Sequence, residues 1–389
     1  MALASKDRVP EYSSRLDVDL DILAENYRYV ARRVGPAKVI AVAKANGLGH
    51  GLQAVAETLA SAGATTVGVS NFLEGRLLRE HGLKAPVLVM NGLTEVQMAS
   101  AIRGDLSFFV FDEASIRLAN DLGRTAHKQA RVHIKVDTGL GRLGIMPKDA
   151  KAIASVVAGM DWLSVEGVAS HLASPYLPEH DEFSRRQLAL FLEASRVLDP
   201  EHKSLWHLAA SSGALRFPEM YLDAVRVGSV LYGIGRVWPI PWPVSPVASY
   251  KSTIIQVKPL PAGHNIGYRL HYQAPQDLRI AVVPVGTTDT LTGEHADAGF
   301  VLIHGHRCRI LGICSCEMMV DVTTLCDAGA GDEVVIVGKQ GEDQISVVET
   351  ATWGNTSYAN FMTRLPARVP RLYWKGGTLV GVEVYGERS

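Results

Sequence analysis

Short apolar runs alternate with segments of helical periodicity through the first two-thirds of the chain. Runs with the length and composition of buried strands occupy residues 38–42, 66–69, 85–90, 106–111, 131–136, 164–169 and 204–208, and an eighth follows residue 222. Helical patterns lie between them, for example at residues 51–60, 73–80, 114–121 and 181–198. This alternation is typical of βαβ units, and eight repeats predict an α/β fold with an N-terminal (β/α)8 TIM-type barrel.

The pattern changes at residues 237–246, which hold four prolines and show no helical period. Beyond them, apolar runs at residues 252–257, 280–284, 299–303, 309–314, 319–322 and 333–338 follow one another without helices, which predicts a C-terminal antiparallel β domain. We therefore expect three parts. Residues 1–14 form an N-terminal strand that joins the β domain, residues 15–240 form the barrel, and residues 241–389 form the β domain.

The overall composition excludes several classes of protein. The 389 residues include 39 Lys and Arg against 40 Asp and Glu, a net charge of −1, which weighs against a nucleic-acid partner and a polybasic membrane surface. The cysteines, at positions 308, 314, 316 and 326, give neither a disulfide framework nor a metal-ligand spacing, so we expect no metal centre. Signal-peptide and membrane-span patterns are missing from the sequence. We expect a soluble, cytoplasmic protein.

Lys44 directly follows the first strong strand, in the segment AVAKANGLGHG (residues 41–51). Barrel enzymes keep their reacting groups at the carboxyl ends of their strands. Partial desolvation at such a place lowers the pKa of a lysine and makes its amine a nucleophile. The position alone is also compatible with an exposed lysine in a glycine-rich loop.

Other polar residues follow or interrupt predicted strands. Arg226 lies in an otherwise apolar strand, where a charge is costly unless it has a partner. His171 follows a predicted strand and His207 lies near the end of another, and both are compatible with either hydrogen-bonded core groups or catalysts. Ser211 could help to bind a phosphate at a helix N-terminus or could serve as a helix cap. Tyr268 follows a turn in the β domain, where tyrosines usually pack.

Residues 139–144 read GLGRLG, which is formally a GxGxxG motif after a strand, with Glu166 at roughly the spacing of a ribose ligand. A dinucleotide site is therefore open as an alternative. A dinucleotide fingerprint needs its glycines to open a helix directly, however, and the next helix is predicted to start only at residues 146–149. This mismatch weakens the alternative.

Taken together, these segments resemble the alanine racemase family of pyridoxal-phosphate (PLP) enzymes. The matching segments run in the family's order across nearly the whole chain and include AVAKANGLGHG, KVDTGLGRLGI, HLAASSGAL, DAVRVGSVLYGI, NIGYRLHYQA and RLPARVPRLY. The second segment identifies residues 139–144 as a family signature rather than a dinucleotide fingerprint. The resemblance implies a barrel plus a β domain, PLP as cofactor, an amino-acid substrate and a head-to-tail homodimer with shared active sites.

The resemblance also implies roles for the catalytic residues. Lys44 would bind PLP covalently and act as one acid/base, and Tyr268 from the other subunit would act as the second on the opposite face of the substrate. A racemase needs both, because one group removes the α-proton and the other returns it. His171 would orient Arg226 and Tyr268. Arg142 would be directed at a cofactor oxygen and the substrate carboxylate.

The remaining implied roles concern cofactor binding. Arg226 would bond the pyridine nitrogen and, because arginine does not readily give up its proton, would leave that nitrogen largely unprotonated. Lys135 matches a position that is often carbamylated in the family, where it would partner Arg142. The phosphate would be bound by Ser211, Gly228 and Ser229.

Several positions depart from the family pattern. Tyrosines that are usual in the family are replaced at Leu48, Thr287 and Ala367, and an asparagine is replaced at Ala210. Two of these tyrosines contact the phosphate in the family, so we expect weaker cofactor binding. Within the segment that follows Gly312, an arginine is replaced by Ile313, a methionine by Cys316 and an aspartate by Glu317.

These departures change the expected substrate. The changes at Cys316 and Ala367 remove bulk beside the substrate side chain, in a pocket that we also assign to Lys135, Arg142 and Glu317. They predict a two-base racemase or epimerase whose substrate is other than, or larger than, alanine. One alternative keeps the cofactor but uses the wider pocket for decarboxylation, aldol-type cleavage or transfer. Another alternative is a cofactor-binding protein without turnover.

Overall fold

The chain folds into two units that are built on different sheets. The computed structural model describes residues 12–234 and 242–384. The barrel unit comprises Leu23–Gly47 and Leu52–Ser245, and the β unit comprises the chain up to Ile22, Leu48–Gly51 and the chain from Pro246 onward. The first strand of the described residues, β1 (Ser14–Asp19), belongs to the β unit.

Eight parallel strands form the sheet of the barrel unit. They are β2 (Lys38–Val42), β3 (Thr66–Val69), β4 (Val87–Val89), β5 (Ser107–Val110), β6 (Ala130–Lys135), β7 (Leu163–Ala169), β8 (Leu205–His207) and β9 (Ala224–Val227). Strands β2 to β8 pair in chain order, and β9 pairs with β2. An isolated parallel bridge between Ala210 and Arg226 links the two ends of this series. The predicted (β/α)8 barrel is confirmed.

Helices follow the barrel strands, as the apolar periodicity predicts. Asn71, Thr94 and Asp112 cap three of them by accepting backbone N–H groups of the first turn. The helix Asp181–Leu198 has the predicted bounds, whereas Glu113–Ala126 continues five residues beyond the predicted end at residue 121. The other helices before the β unit are Leu20–Val34, Leu52–Ser61, Phe72–Glu80, Glu95–Arg103, Ala150–Val157 and Ser211–Arg216.

The β unit is an eleven-stranded, mostly antiparallel sheet with a separate two-stranded ribbon. The strands after the barrel are β10 (Ala248–Thr253), β11 (Gln256–Leu260), β12 (Asn265–Ile266), β13 (Tyr272–Gln273), β14 (Leu278–Val283), β15 (Phe300–Ile303), β16 (His306–Ile313), β17 (Met318–Asp321), β18 (Glu333–Gln340), β19 (Asp343–Ile345), β20 (Arg371–Lys375) and β21 (Thr378–Glu383). Strand β1 pairs antiparallel with β10 and parallel with β20. The two-stranded ribbon is made of β12 and β13.

Two details of the β unit differ from the prediction. The apolar run at residues 252–257 is split between β10, which pairs with β18, and β11, which pairs with β14, because the chain changes partners at Ile254 and Ile255. The expectation that this part has no helices was wrong, since Val347–Trp353 and Tyr358–Thr363 are helical behind serine caps. Such short helices are hard to recognise because they hold fewer than two apolar repeats.

The expected domain boundaries fall partly on residues that the structure does not describe. The described N-terminal strand covers Ser14–Asp19, whereas most of residues 1–14 and the boundary near residue 240 lie outside the described ranges. Among the helices of the described ranges, none is long and apolar enough to cross a membrane.

Candidate functional site

Lys44 lies at the carboxyl end of β2, and the residues that follow it form a left-handed turn. Ala45, Asn46 and Gly47 have φ between 53° and 60° with ψ between 39° and 56°, and Leu48 continues with φ 53°. This conformation costs a residue with a Cβ about 1–2 kcal/mol. Several such residues in a row persist only where the surrounding structure imposes them, and they are typical of functional sites.

Glu74 imposes this turn from the helix Phe72–Glu80. Its Oε1 accepts the backbone N–H of Asn46 at 3.1 Å, and its Oε2 accepts the backbone N–H and the hydroxyl of Ser70 at 2.8 and 2.7 Å. The side chain of Asn46 accepts the N–H of Leu52 at 2.8 Å. Because Ser70 follows β3, the buried carboxylate of Glu74 ties the ends of two neighbouring strands to the turn behind Lys44.

The side chain of Lys44 is exposed, yet its surroundings lower the pKa of its amine. The partial loss of hydration beside the strand ends is the largest cause, and repulsion by Arg142 adds to it, while attraction by Glu74 acts in the opposite direction. A lower pKa makes the neutral amine available nearer to neutral pH. Lys44 can therefore act both as a nucleophile and as a proton acceptor.

Arg226 is buried in β9, with 4% of its surface exposed, and its two terminal nitrogens make five hydrogen bonds. Nη1 donates to Nδ1 and to the carbonyl of His207 at 2.6 and 2.9 Å. Nη2 donates to the carbonyls of Ser170 and Leu208 at 2.6 and 3.0 Å and to Nδ1 of His171 at 3.1 Å. Within the described part of the chain, the Nε–H group has no hydrogen-bond partner. The guanidinium is thus fixed with one donor left over.

Burial and mutual repulsion lower the pKa of several basic groups around Arg226. Burial, followed by repulsion from Arg142, lowers the pKa of Arg226 to about 9. Burial, followed by Arg226 and Arg142, holds the pKa of Lys135 well below its usual value, although Asp137 opposes this. Burial and Arg226 likewise lower the pKa of His171. Positive charge among these basic groups is therefore unfavourable, and an anion placed beside Arg226 and Arg142 would be stabilised.

The GxGxxG stretch is a loop that wraps around the carboxylate of Asp137. The backbone N–H groups of residues 139–142 donate to its two oxygens at 2.9–3.1 Å. Burial alone would raise the pKa of Asp137, but these four donors hold it below its usual value. Helical structure begins only at Pro147, so the dinucleotide alternative does not fit the geometry. The loop instead presents the exposed side chain of Arg142.

Two short helical segments of the barrel unit begin next to each other. The hydroxyl of Ser211, in the first turn of Ser211–Arg216, accepts the backbone N–H of Gly228, which immediately precedes the turn Ser229–Tyr232, at 3.0 Å. The first N–H groups of a helical segment have no acceptor within it. The joined ends therefore suit a phosphate. The bridge from Ala210 to Arg226 connects this corner to the buried guanidinium.

Tyr268 lies in the β unit, where it opens the short turn Tyr268–Leu270. Its side chain is 67% exposed, which is unusual for a tyrosine. Gly267 precedes it with φ 74°, a left-handed conformation that favours glycine. The ring is therefore presented to the outside of its own chain.

The other predicted pocket residues of the β unit, Cys316, Glu317 and Ala367, are all exposed. Cys316 lies in a turn after β16, and its Sγ is 3.7 Å from the hydroxyl of Thr288. Arg368, next to Ala367, forms an ion pair with the buried Asp289 at 2.7 Å and donates to Thr288. The segments that carry Cys316 and Ala367 are thus joined through Thr288 and Arg368.

The loop of residues 286–290 is held against the turn of residues 314–317 by backbone hydrogen bonds. Thr287 donates to Cys314 and Thr288 to Ser315, both at 3.0 Å. Gly286 has to be glycine, because a Cβ there would lie 2.4 Å from the carbonyl oxygen of Cys314. Thr287, which stands where the family usually has tyrosine, is exposed on this loop.

The structure therefore groups the predicted site residues in two sets. Lys44, Lys135, Arg142, His171, Ser211, Arg226, Gly228 and Ser229 lie in the barrel unit, while Tyr268, Cys316, Glu317 and Ala367 lie in the β unit. The described residues contain no group of His, Cys, Asp and Glu side chains that could hold a metal ion.

Sequence reasoning missed two residues that shape the barrel site. Glu74 lies four residues before the buried Leu78, so helical spacing places an acid on the inner face of its helix. His133 lies two residues before Lys135 on β6, so the strand period places both on one face. In each case the signal in the sequence was a polar residue at a position where the helix or strand period predicts an apolar one.

The chain matches two family models in sequence order. The model for the alanine racemase N-terminal domain matches residues 18–235, and the model for the alanine racemase C-terminal domain matches residues 247–373. Alanine racemase of Symbiobacterium thermophilum is 35% identical over 362 residues, which cover 92% of this chain and 96% of that protein. Alanine racemase of Desulforamulus reducens is 35% identical over 374 residues, with coverage of 92% and 98%.

Solved structures agree with these similarities. Alanine racemase from Bacillus anthracis with bound L-Ala-P superimposes with a TM-score of 0.89 at 28% identity, covering 96% of this chain and 98% of that one. Alanine racemase from Bartonella henselae with covalently bound pyridoxal phosphate superimposes with a TM-score of 0.85 at 25% identity, covering 93% and 99%. The similarity therefore extends over both units.

Proposed function

Because this chain belongs to the alanine racemase family, we propose that it is a PLP-dependent amino-acid racemase that acts on a substrate larger than alanine. The observation that carries the proposal is the arrangement of the barrel site. It combines a lysine of lowered pKa, a buried arginine with one unpartnered donor, and two joined helix ends that suit a phosphate.

The residues of the barrel unit fit the cofactor. Arg226 is held so firmly by its terminal nitrogens that only its Nε–H remains to bond a ring nitrogen. Ser211, Gly228 and Ser229 would hold the phosphate, with the hydroxyl of Ser211 still able to donate while it accepts from Gly228. Lys44 would carry the covalent attachment. When bound, PLP supplies an electron sink that acidifies the α-proton of an amino acid.

Lys44 and Tyr268 are the two proton carriers of the proposed mechanism. Once the amino group of the substrate has displaced it from the cofactor, Lys44 would take or return the α-proton at its Nζ, and its lowered pKa favours the neutral amine that proton removal needs. Tyr268 does the same at its hydroxyl on the opposite face. His171, which accepts from Arg226 through Nδ1, carries its proton on Nε2 and is thereby able to donate a hydrogen bond to an incoming phenolic oxygen.

We propose that Tyr268 serves the active site of a partner subunit, so that the working protein is a homodimer. The high exposure of Tyr268 supports this, because a phenol that faces away from its own chain is available to another. Gly267 and the short turn Tyr268–Leu270 give this tyrosine a defined backbone conformation. Glu317 and Cys316 are exposed in the same unit and would accompany Tyr268.

The proposal of a larger substrate rests on Ala367 and Cys316. Both are exposed, and their segments are joined through Thr288 and Arg368, so two small side chains stand in one joined cluster where the family has tyrosine and methionine. A pocket that loses this volume favours a longer side chain. Differences of one methylene are worth about 1–3 kcal/mol in such pockets.

The proposal is tested by incubating the purified protein, with PLP in excess, with a panel of L-amino acids in D2O. We expect deuterium at Cα together with loss of optical rotation, and a higher kcat/KM for a larger amino acid than for alanine. Release of CO2 or of an aldehyde would identify a different Cα reaction. Borohydride treatment followed by peptide mapping should place the cofactor on Lys44, and an unlabelled Lys44 would contradict a PLP function.

The Ala367→Tyr variant tests the proposed pocket directly. Restoring the tyrosine should lower kcat/KM for the larger amino acid relative to kcat/KM for alanine by roughly tenfold or more. Ala330→Tyr is the matched control, because Ala330 is an exposed alanine in another loop of the same unit. An unchanged ratio in Ala367→Tyr, or an equal change in the control, would refute the role of Ala367 in substrate choice.

A further inference from the structure

A column of polar side chains crosses the interior of the barrel, where layers of apolar residues are the rule. It leads from Arg226 to His207 on β8, then to His133 on β6 and to Glu166 on β7. Nδ1 of His207 accepts from Arg226 at 2.6 Å, and Nε2 of His207 lies 2.8 Å from Nδ1 of His133. Nε2 of His133 lies 4.0 Å from Oε2 of Glu166. Both imidazoles are almost completely buried.

These contacts leave each imidazole only one tautomer. A guanidinium can only donate, so His207 must offer the lone pair of Nδ1 to Arg226 and carry its proton on Nε2. That proton is donated to Nδ1 of His133. His133 therefore carries its own proton on Nε2, which faces Glu166.

The backbone is shaped to hold His133 in this column. The register between β6 and β7 shifts at Val132 and His133, so Glu166 is the extra residue of a β-bulge. A Cβ on the next residue, Gly167, would lie 2.2 Å from Nδ1 of His133. A glycine at that position is what allows the ring to occupy its place.

Glu166 is held at the end of the column by two donors. Arg131 donates from Nε to Oε1 at 2.6 Å, and the hydroxyl of Ser107 donates to Oε2 at 2.5 Å. The carboxylate is partly exposed, whereas His133 is not. The 4.0 Å between Glu166 and His133 makes their contact electrostatic rather than a hydrogen bond.

Burial keeps both imidazoles neutral. It lowers the pKa of His133 to about 4, with attraction by Glu166 opposing and repulsion by Arg226 and Arg131 adding to the shift. The pKa of His207 is held well below its usual value by burial, then by Arg226, His133 and Lys135. Two neutral rings of fixed tautomer thus support a charged guanidinium that lacks a direct carboxylate partner among the described residues.

We propose that His133 is a positioning residue, which holds His207 in the tautomer that accepts from Arg226 and so fixes the orientation of the guanidinium. A His207 with its proton on Nδ1 would face Arg226 donor to donor, and the guanidinium would turn away. The inference rests on the proposed function in one respect, which is the identity of the ligand that Nε of Arg226 contacts. The tautomers themselves are a property of the protein without cofactor.

The first test is nitrogen NMR of the full-length protein labelled in its histidine rings, recorded with and without PLP. His133 and His207 should be neutral with the proton on Nε2 from about pH 6 to about pH 9. Signals are assigned from the variants His133→Gln and His207→Gln, and His81→Gln, which removes an exposed ring, serves as the control. A charged ring, or a proton on Nδ1 of either residue, would overturn the proposal whether or not the protein binds PLP.

The second test compares His133→Leu with His133→Asn. The asparagine places its amide oxygen where Nδ1 of His133 stood and can still accept the Nε2 proton of His207, whereas the leucine cannot. We expect about a tenfold loss of kcat/KM and a changed absorption band of bound PLP in the leucine variant, with substantial recovery in the asparagine variant. Equal behaviour of the two variants, with only the folded fraction reduced, would assign His133 a merely structural role. Should the leucine variant not fold, the nitrogen spectra of the unaltered protein decide.

Discussion

Oε1 of Glu74 accepts the backbone N–H of Asn46 at 3.1 Å, and this contact holds the left-handed turn behind Lys44 in place. The other oxygen of Glu74 accepts two donors from Ser70. A single buried carboxylate thus determines where the proposed catalytic amine leaves its strand. It also supplies the one attraction that partly offsets the lowering of the Lys44 pKa.

The variant Glu74→Gln should therefore lower both the free energy of unfolding and the pKa of the Lys44 amine. An amide has one acceptor oxygen where the carboxylate has two, so its NH2 group would face either the N–H of Asn46 or the donors of Ser70, and we expect a loss of about 2 kcal/mol in the free energy of unfolding. The pKa of Lys44 should fall further, because the attraction by Glu74 is removed. Denaturant unfolding measures the first effect, and the pH dependence of Lys44 labelling by an amine reagent measures the second. Glu80→Gln, an exposed change in the same helix, should alter neither quantity.

The turn itself can be tested at Gly47. Its φ of 60° is left-handed, and a Cβ there would lie 2.9 Å from Cγ2 of Val55. Gly35 has a similar φ of 64° with nothing within 4 Å of an added Cβ. Both alanine variants carry the left-handed strain, but only Gly47→Ala adds a clash. We expect Gly47→Ala to be less stable than Gly35→Ala by about 1–3 kcal/mol in denaturant unfolding. Equal losses would show that Val55 yields without cost.

The fold was predictable because its signals are periodic. Strands such as Lys38–Val42 and Thr66–Val69 were predicted at their observed bounds, since a buried parallel strand is a continuous apolar run. The helices Val347–Trp353 and Tyr358–Thr363 were missed because each is too short to show a period. The split between β10 and β11 was missed because a change of pairing partner leaves the apolar run unbroken.

Single unusual residues of the candidate site were recognisable in the sequence, whereas the hydrogen bonds that connect them were not. Arg226 stood out because an arginine in an apolar strand is costly, and the structure shows the hydrogen bonds that offset the cost. The role of Glu74 depends on a left-handed turn, and that of Glu166 on a β-bulge. Neither backbone feature has a sequence signature, because Ala45 and Asn46 adopt their turn only under tertiary constraint.

Acidification should destabilise the protein through its buried histidines. The pKa of His133 is about 4 in the folded state, below the usual 6.5, so between these values the unfolded chain binds a proton that the folded chain does not. Stability therefore falls as the pH drops from about 6.5 to about 4, by up to roughly 3 kcal/mol from this residue. In His133→Gln the unfolding free energy should depend less steeply on pH over this range. The exposed His81→Gln should keep the slope of the unaltered protein.

Lys135 should react with CO2. Burial beside Arg226 and Arg142 lowers its pKa, which favours the neutral amine, and a carbamate would supply the anion that those cations lack. Intact-mass spectra under native conditions should show one added CO2 in bicarbonate, and the addition should be absent in Lys135→Gln. Lys38→Gln, an exposed change at the start of β2, should retain it. A spectrum without the addition at high bicarbonate would contradict this expectation.

Arg368 should stabilise the loop that carries Thr287. Its guanidinium pairs at 2.7 Å with Asp289, whose side chain is almost fully buried and also accepts the N–H of Gly286 at 3.0 Å. In Arg368→Ala the buried carboxylate loses its counter-ion. Because Arg368 is half exposed, solvent screens the pair, and we expect a loss of about 1 kcal/mol rather than the larger cost of a fully buried pair. Arg364→Ala, an exposed arginine in the same segment, should leave the unfolding free energy unchanged, and an equal loss there would show that the Asp289 pair contributes nothing specific.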